Sequence, residues 1–273
     1  TLDIVNRVSE YPPEDSEVRA LSQSQRMGGN AANTAIVLAQ LGVPTCWVGN
    51  LSDQAPVVEP TFVRYGVDVS LAVRIPNGTL PTSYIISSDA TGSRSIVHYR
   101  DLPEFRAEDF LRLDLSGFRW VHFEGRAIGQ LMAMLLHARA TPGLTVSLEV
   151  EKPRDGIEAL FDDADLLLFS RDYARAKGFG NAEGLLRSLP SGRRATCTWG
   201  ARGAWAIDGD GRLVYAATPA LDSVVDTIGA GDVFNAAMIR ELICRKTLQP
   251  ALVSAVSLAT AKCGREGLTL AAE

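Results

Sequence analysis

The sequence predicts an α/β fold: a three-layer α/β/α domain on a mostly parallel central sheet, with a small antiparallel β sheet projecting from it as a lid. Three observations carry that prediction. From about Gly117 onward, short apolar runs alternate with segments of helical period, the pattern of successive strand–helix–strand units. Two earlier stretches alternate apolar and polar residues, as antiparallel strands with one wetted face do. The length of 273 residues, with 46% hydrophobic and 22% charged, suits one large domain carrying an accessory element.

In chain order, "TLDIVN" opens as a strand. The alternating patches are "EDSEVRALSQSQRM" and "TSYIISSDATGSRSIVHYR", and "DATGSR" turns the second back on itself. Together they would build the lid from about residues 4–28 and 81–101 of a single domain spanning 1–273. Asn30 to Leu41 reads as a helix between them. "RWVHFEG" is a buried strand and "IGQLMAMLLHARA" a helix with a broad apolar face. "LTVSLEV", "DLLLFS" and "RATCTW" are further strands, and "GDGR" turns "GAWAID" into "RLVY" as a hairpin. "VFNAAMI" is interrupted only by Asn235, so it reads as a buried helix.

Right-handed crossovers place ligands beyond the carboxyl ends of such strands. Glu124, Glu149, Glu151, Ser170, Arg171 and Gly200 all fall there. Each alone could be an ordinary polar residue flanking a strand, but the set marks a crevice.

Several function classes are excluded by what surrounds these elements. A net charge of −5 argues against nucleic acid as partner, because phosphate backbones demand a basic face. No apolar run has the length of a bilayer span and no signal peptide is visible, so the expectation is a cytoplasmic protein without a membrane partner. Cys46, Cys197, Cys244 and Cys263 are widely separated, with no C-x-x-C pair, and are expected as free thiols. His98, His122 and His137 form no zinc-binding spacing. "GGNAANTA" is not a dinucleotide fingerprint, no G-K-[ST] occurs, and the H-R-D and D-F-G pair is missing.

The chemistry concentrates in "DTIGAGDVFNAAMI", Asp226 to Ile239. Gly229 and Gly231 permit unusual backbone angles and close approach, so the turn presents the amides of a helix start to an anion. Asp232 in that first turn has an ordinary reading as a helix cap or dipole partner. The second glycine favours another, since a cap needs no clearance for an incoming group. A carboxylate beside a phosphate-sized nest can take the proton of a hydroxyl attacking phosphorus. Asp232 is then the catalytic base, and Gly229, Ala230 and Gly231 form the anion hole.

"DTIGAGD" resembles the C-terminal signature of the ribokinase-like (PfkB) carbohydrate kinases, and "GGNAANTA", Gly28 to Ala35, resembles their N-terminal signature. "YPPEDSEVRALSQSQRMGGNAAN", "YGVDVS", "VHFEGR", "VSLEVEKPR" and "AKCGREG" are similar to the ketohexokinase branch of that family, over nearly the whole chain. The resemblance implies a ribokinase-like fold, ATP-dependent phosphorylation of a ketohexose at O1, and ATP and Mg²⁺ as cofactors. K⁺ is left open as a third, and a homodimer through the lid is implied. Asp3, Gly29, Asn30 and Asn33 match sugar-binding positions, with Asp15 as a lid carboxylate and Arg94 as a lid arginine near the phosphates. Helix capping and first-turn packing is the competing reading of Asn30 and, less strongly, of Asn33, where a good helix former would be the neutral choice, and a solvated strand residue is that of Arg94. Glu124 and Arg126 would serve sugar, phosphate or metal water, or pair with each other; Glu151 with Lys152, and Arg171, invite the same two readings. Gly200 and Gly203 match the place where adenine lies against bare backbone, and Cys263 a wall of that pocket.

Two departures stand out. "SRDY", Ser170 to Tyr173, replaces the N-x-x-E that orders metal-bound water in many members, and "GNLSDQAP" is shorter than the usual loop. Two alternatives remain. One is another kinase of the family, acting on ribose, on the 6-hydroxyl of fructose or on a nucleoside. The other is a non-catalytic sugar or nucleotide binder of the same fold.

Overall fold

The computed structural model describes residues 1–55 and 57–270. They divide into two compact units: Thr1–Ala32 with Thr45–Phe105, and Asn33–Pro44 with the chain from Arg106 onward.

The first unit contains β1 (Leu2–Val8), β2 (Ser22–Met27), the opening residues of α1 (Asn30–Gln40), β3 (Asn50–Ser52), α2 (Val58–Tyr65), β4 (Val73–Ile75), β5 (Thr82–Ser88) and β6 (Arg94–Tyr99). Four strands form one sheet in the order β2-β1-β5-β6. Its outer pairs are antiparallel, as the alternation predicts, but the central pair β1–β5 is parallel, with Leu2 opposite Thr82. The sheet is therefore mixed. The first alternating patch also yields less strand than its pattern suggests, since only Ser22–Met27 pairs. Upstream of it, Pro12 and Pro13 have no N–H to give a ladder and Asp15 sits at φ 55°. The hairpin at "DATGSR" forms as expected, closed by Ser88 N–H to the Ser93 carbonyl at 3.0 Å. β3 and β4 make a separate two-stranded parallel sheet.

The second unit holds the rest of α1, then α3 (Ala107–Phe110), β7 (Trp120–Glu124), α4 (Ile128–Arg139), β8 (Thr145–Val150), β9 (Leu166–Phe169), α5 (Arg171–Ala176), α6 (Ala182–Ser188), β10 (Ala195–Thr198), β11 (Ala204–Ile207), β12 (Leu213–Ala216), α7 (Ala230–Ile243) and α8 (Leu248–Cys263). Its six-stranded sheet runs β12-β11-β10-β9-β8-β7. β7 to β10 are mutually parallel, and β11 and β12 close one side antiparallel. Every residue of β9 is buried, the mark of a strand covered on both faces. Leu166 and Leu168 pack with Phe234 and Met238 of α7 and with Leu252 and Val256 of α8. α7 is buried at every position from Asp232 to Ile239, as its nearly unbroken apolar sequence predicts.

The "GDGR" hairpin is present, with Asp208 Oδ1 accepting the amides of Asp210 and Arg212. Gly203 is demanded by this side of the sheet: it sits at φ 88°, and a Cβ there would stand 2.0 Å from the Ala216 carbonyl oxygen. All four cysteines are free thiols. Among the described residues no helix is long and apolar enough to cross a membrane.

Candidate active site

In the second unit the carboxyl ends of the parallel strands deliver the expected residues to one sheet edge. Glu124 ends β7, Glu149 is the penultimate residue of β8 with Glu151 just past it, Ser170 and Arg171 follow β9, and Gly200 follows β10. Ser170 caps α5, accepting the Tyr173 amide at 3.0 Å while its own hydroxyl donates to the Glu151 carbonyl. Tyr173 is buried and donates to Glu158 Oε1 at 2.9 Å. Burial, with Glu158 behind it, pushes that phenol above its ordinary range. Two of the four residues in "SRDY" therefore serve capping and packing.

Arg171 Nε is buried and makes no hydrogen bond to the described residues, although Asp172 Oδ1 stands 3.5 Å away. Its guanidinium lies over Gly200, where an added Cβ would meet Nη1 at 3.1 Å. A donor held out of water at a strand end is a fit partner for an anionic ligand.

The opening of α7 gives the sharpest geometry. Gly229 occupies the N-cap position at φ 80°, and a Cβ on it would strike Leu268 at 2.7 Å. The fold requires glycine there. Gly231 differs: it lies in the first turn of the helix, and a Cβ on it would meet nothing within 4 Å. Glycine in a helix is unfavourable by about 0.5–1 kcal/mol relative to alanine, and nothing in the packing calls for it. The space beside Gly231 at the helix start is open, and of the amides there the Ala230 N–H already reaches the Thr227 carbonyl at 3.3 Å.

Asp232 follows directly and is buried, with 6% of its surface exposed. Its Oδ2 accepts Asn33 Nδ2 at 2.7 Å, and because a carboxylate only accepts, the Asn33 amide is oriented unambiguously. Asn33 Oδ1 is left buried with no hydrogen-bond partner among the described residues, an acceptor that a ligand hydroxyl would satisfy. Asn33, expected as a sugar contact, thus also holds the candidate base. One turn further along α7, Asn235 Nδ2 donates to Glu149 Oε1 at 2.9 Å. Sequence reasoning gave Asn235 no role, although it is the one polar interruption of an apolar helix.

Among the described residues no three His, Cys, Asp or Glu side chains converge as a metal cage. Mg²⁺ is bound through one or two carboxylates, water and substrate phosphates rather than an all-protein cage, and Glu149 and Glu151 are the carboxylates at the end of β8. Cys263 ends α8, and its carbonyl accepts the amides of Val225 at 2.8 Å and Asp226 at 3.2 Å. Burial pushes its thiol up, and Asp226 adds to that while Lys262 opposes it.

The first unit carries its own cluster. Asp3 is buried on β1, and Gly28 gives it room, since a Cβ there would stand 2.3 Å from its carboxyl atoms. Burial raises the Asp3 carboxyl above its ordinary 3.8, against the hydrogen bond from Ser83 and the charges of Arg26 and His98. Gly29 turns at φ 100°, Asn30 opens α1, Asp15 is exposed in a left-handed turn and Arg94 is exposed on β6.

A family model described as pfkB family carbohydrate kinase matches residues 1–273. A ketohexokinase of Mus musculus is 38% identical, covering 97% of this chain and 94% of that protein. An ATP-dependent ribose-1-phosphate kinase of Halopiger xanaduensis is 26% identical over 97% of this chain and 90% of its own length. Among solved structures, a ribokinase from Cryptococcus neoformans in complex with ADP superposes with a TM-score of 0.77 at 20% identity, over 97% of this chain and 92% of that one.

The two glycines should separate cleanly. Gly231→Ala is expected to keep or raise stability, by up to about 1 kcal/mol, while lowering turnover about 10²-fold by crowding the anion. Gly229→Ala is expected to lose about 1–3 kcal/mol; urea midpoints read beside initial rates check both. For Asp3 the raised carboxyl contributes stability that is complete below 3.8 and lost as pH climbs through the raised value. Asp3→Asn should therefore be more stable than the parent above that window, with the difference closing at acid pH; thermal unfolding across pH checks it.

Proposed function

This chain belongs to the pfkB carbohydrate kinase family, and from that premise we propose that it transfers the γ-phosphoryl group of ATP to O1 of a ketohexose such as fructose. That it is an ATP-dependent sugar kinase rests on the family and on 38% identity to a ketohexokinase over nearly its full length. The observation that carries the mechanism is the pairing of Gly231, open to an incoming group, with the buried, Asn33-held carboxylate of Asp232.

The acceptor hydroxyl gives its proton to Asp232 as its oxygen forms the new bond to phosphorus. The bond from the γ-phosphorus to the bridging oxygen breaks, and ADP leaves with that electron pair. First-turn amides of α7, around Gly229, Ala230 and Gly231, face the equatorial phosphoryl oxygens. Asn33 fixes the base through Nδ2 and offers Oδ1 to a sugar hydroxyl. Mg²⁺, when bound with the nucleotide, supplies charge neutralisation at the phosphates.

By motif resemblance, Asp3, Asp15, Gly29, Asn30 and Glu124 are proposed sugar contacts. Arg94, Arg171, Gly200, Gly203 and Cys263 are proposed on the nucleotide. The free thiols suit a reducing compartment, and we place the protein in the cytoplasm.

A second copy of the chain is the proposed partner of the four-stranded sheet. β6 is an edge strand exposed along its whole length. It presents Ile96, Val97 and Tyr99 at 52%, 69% and 55% exposure, with Tyr84 of β5 beside them at 49%. An apolar edge of this kind is an association site.

A coupled ADP-release assay with MgATP across fructose, ribose and nucleosides should give its highest kcat/KM with fructose. Asp232→Asn should lower kcat about 10²–10⁴-fold with sugar affinity kept; near-normal turnover would remove Asp232 from its role. Light scattering at micromolar protein should report a dimer, and Val97→Glu a monomer; a monomeric parent contradicts the sheet-to-sheet assembly.

A further inference from the structure

Lys262 has no place in the mechanism so far, yet its side chain is fully buried. It closes α8 within "LATAKCG". Its ammonium donates to the Asp226 carbonyl oxygen at 2.6 Å and lies 2.9 Å from Asp226 Oδ2. Asp226 is the first residue of the glycine signature. Its Oδ1 accepts the Ile228 amide at 2.9 Å and its Oδ2 the Gly267 amide at 3.2 Å. The amides of Val225 and Asp226 return to the Cys263 carbonyl, and Gly229 lies under Leu268. One buried ion pair thus stands where the chain before the turn is fastened to the chain after α8.

A buried pair of this kind is seldom retained for stability, because well-packed apolar residues of the same volume do as well or better. Here the carboxylate has a definite task, since Oδ1 orders the turn through the Ile228 amide and Oδ2 holds the Gly267 amide beyond α8. Its charge is also a liability, because it stands three residues before Gly229 and would repel any phosphate bound there. The ammonium removes that charge and grips the same residue by its carbonyl.

We propose that Lys262 is a positioning residue for phosphoryl transfer: a built-in monovalent cation that sets the Asp226–Gly229 turn and cancels the Asp226 charge beside the bound nucleotide. The proposal rests on reading that turn as the phosphoryl site. The role is electrostatic as well as structural, so a small cation restored to the emptied space recovers function, which a purely packing role would not allow.

The test uses the full chain with MgATP and fructose. Lys262→Met should lower kcat about tenfold or more and raise the KM for ATP, with the KM for fructose changed less than about twofold. Lys262→Ala should regain rate with ethylammonium chloride, saturably, and not with choline chloride, while the parent responds to neither. A folded Lys262→Met with parental kcat and ATP KM overturns the proposal, as does a folded Lys262→Ala that ethylammonium leaves unchanged. If the single variants do not fold, Asp226→Asn with Lys262→Met removes both charges together. Near-parental kcat and ATP KM in that double variant, with charge and counter-charge removed together, support the charge-cancelling role; a kcat lowered tenfold or more, with no charge left to cancel, overturns it. Gly231→Ala, assayed alongside, separates the two failures. Its normal turnover sinks the phosphoryl-site reading itself; normal turnover in Lys262→Met beside an impaired Gly231→Ala sinks the lysine alone.

Discussion

The hydrogen bond from Asn33 to Asp232 is the interaction on which the proposed catalytic end of the second unit depends. A carboxylate with only 6% of its surface in water is tolerated when its oxygens are engaged, and leaving one unpaired would be costly. Asn33 engages Oδ2 at 2.7 Å across 199 residues of sequence, which joins α1 to the start of α7. That bond orients the proposed base, and the same side chain leaves Oδ1 buried and unsatisfied among the described residues. A group that fixes the base therefore also carries an acceptor of its own for a hydroxyl.

Around that bond the glycines divide the work. Gly229 belongs to the fold, because only glycine suits its backbone angle and the contact with Leu268. Gly231 is not demanded by the fold, which would accept a side chain there, and the proposed chemistry gives it a reason. Gly203 falls on the structural side through the Ala216 carbonyl, while Gly200 leaves room for the Arg171 guanidinium. Glycines within one family motif thus stand for different constraints, and the space a Cβ would occupy tells them apart.

The second unit was largely legible in the sequence. Four short apolar runs at βα spacing became β7 to β10 in parallel order, and the apolar run after the glycine turn became the buried helix α7. The first unit was legible only in part. Alternation reports a wetted face and not strand direction, so the parallel pairing of β1 with β5 could not be read from it. The length of β2 is set by the reach of its partner β1, whose residues 2–7 it pairs with, which is tertiary information. At the site, residue types and order within "DTIGAGD" are what single out Asp232 as the candidate base. The partners of Asp232 and Asp226 did not show, since Asn33 lies 199 residues away and Lys262 36. A lysine at a helix end reads as solvated until its burial is seen.

The central claim is that the first-turn amides of α7 receive the migrating phosphoryl group while Asp232 faces the acceptor oxygen. A crystal structure with a non-hydrolysable ATP analogue and fructose tests it most directly. The γ-phosphate is expected in the open space at Gly231, with an Asp232 carboxylate oxygen within hydrogen-bonding distance, about 2.6–3.2 Å, of the sugar O1. A γ-phosphate seated elsewhere, or a carboxylate turned away from O1 with no water between, would contradict it.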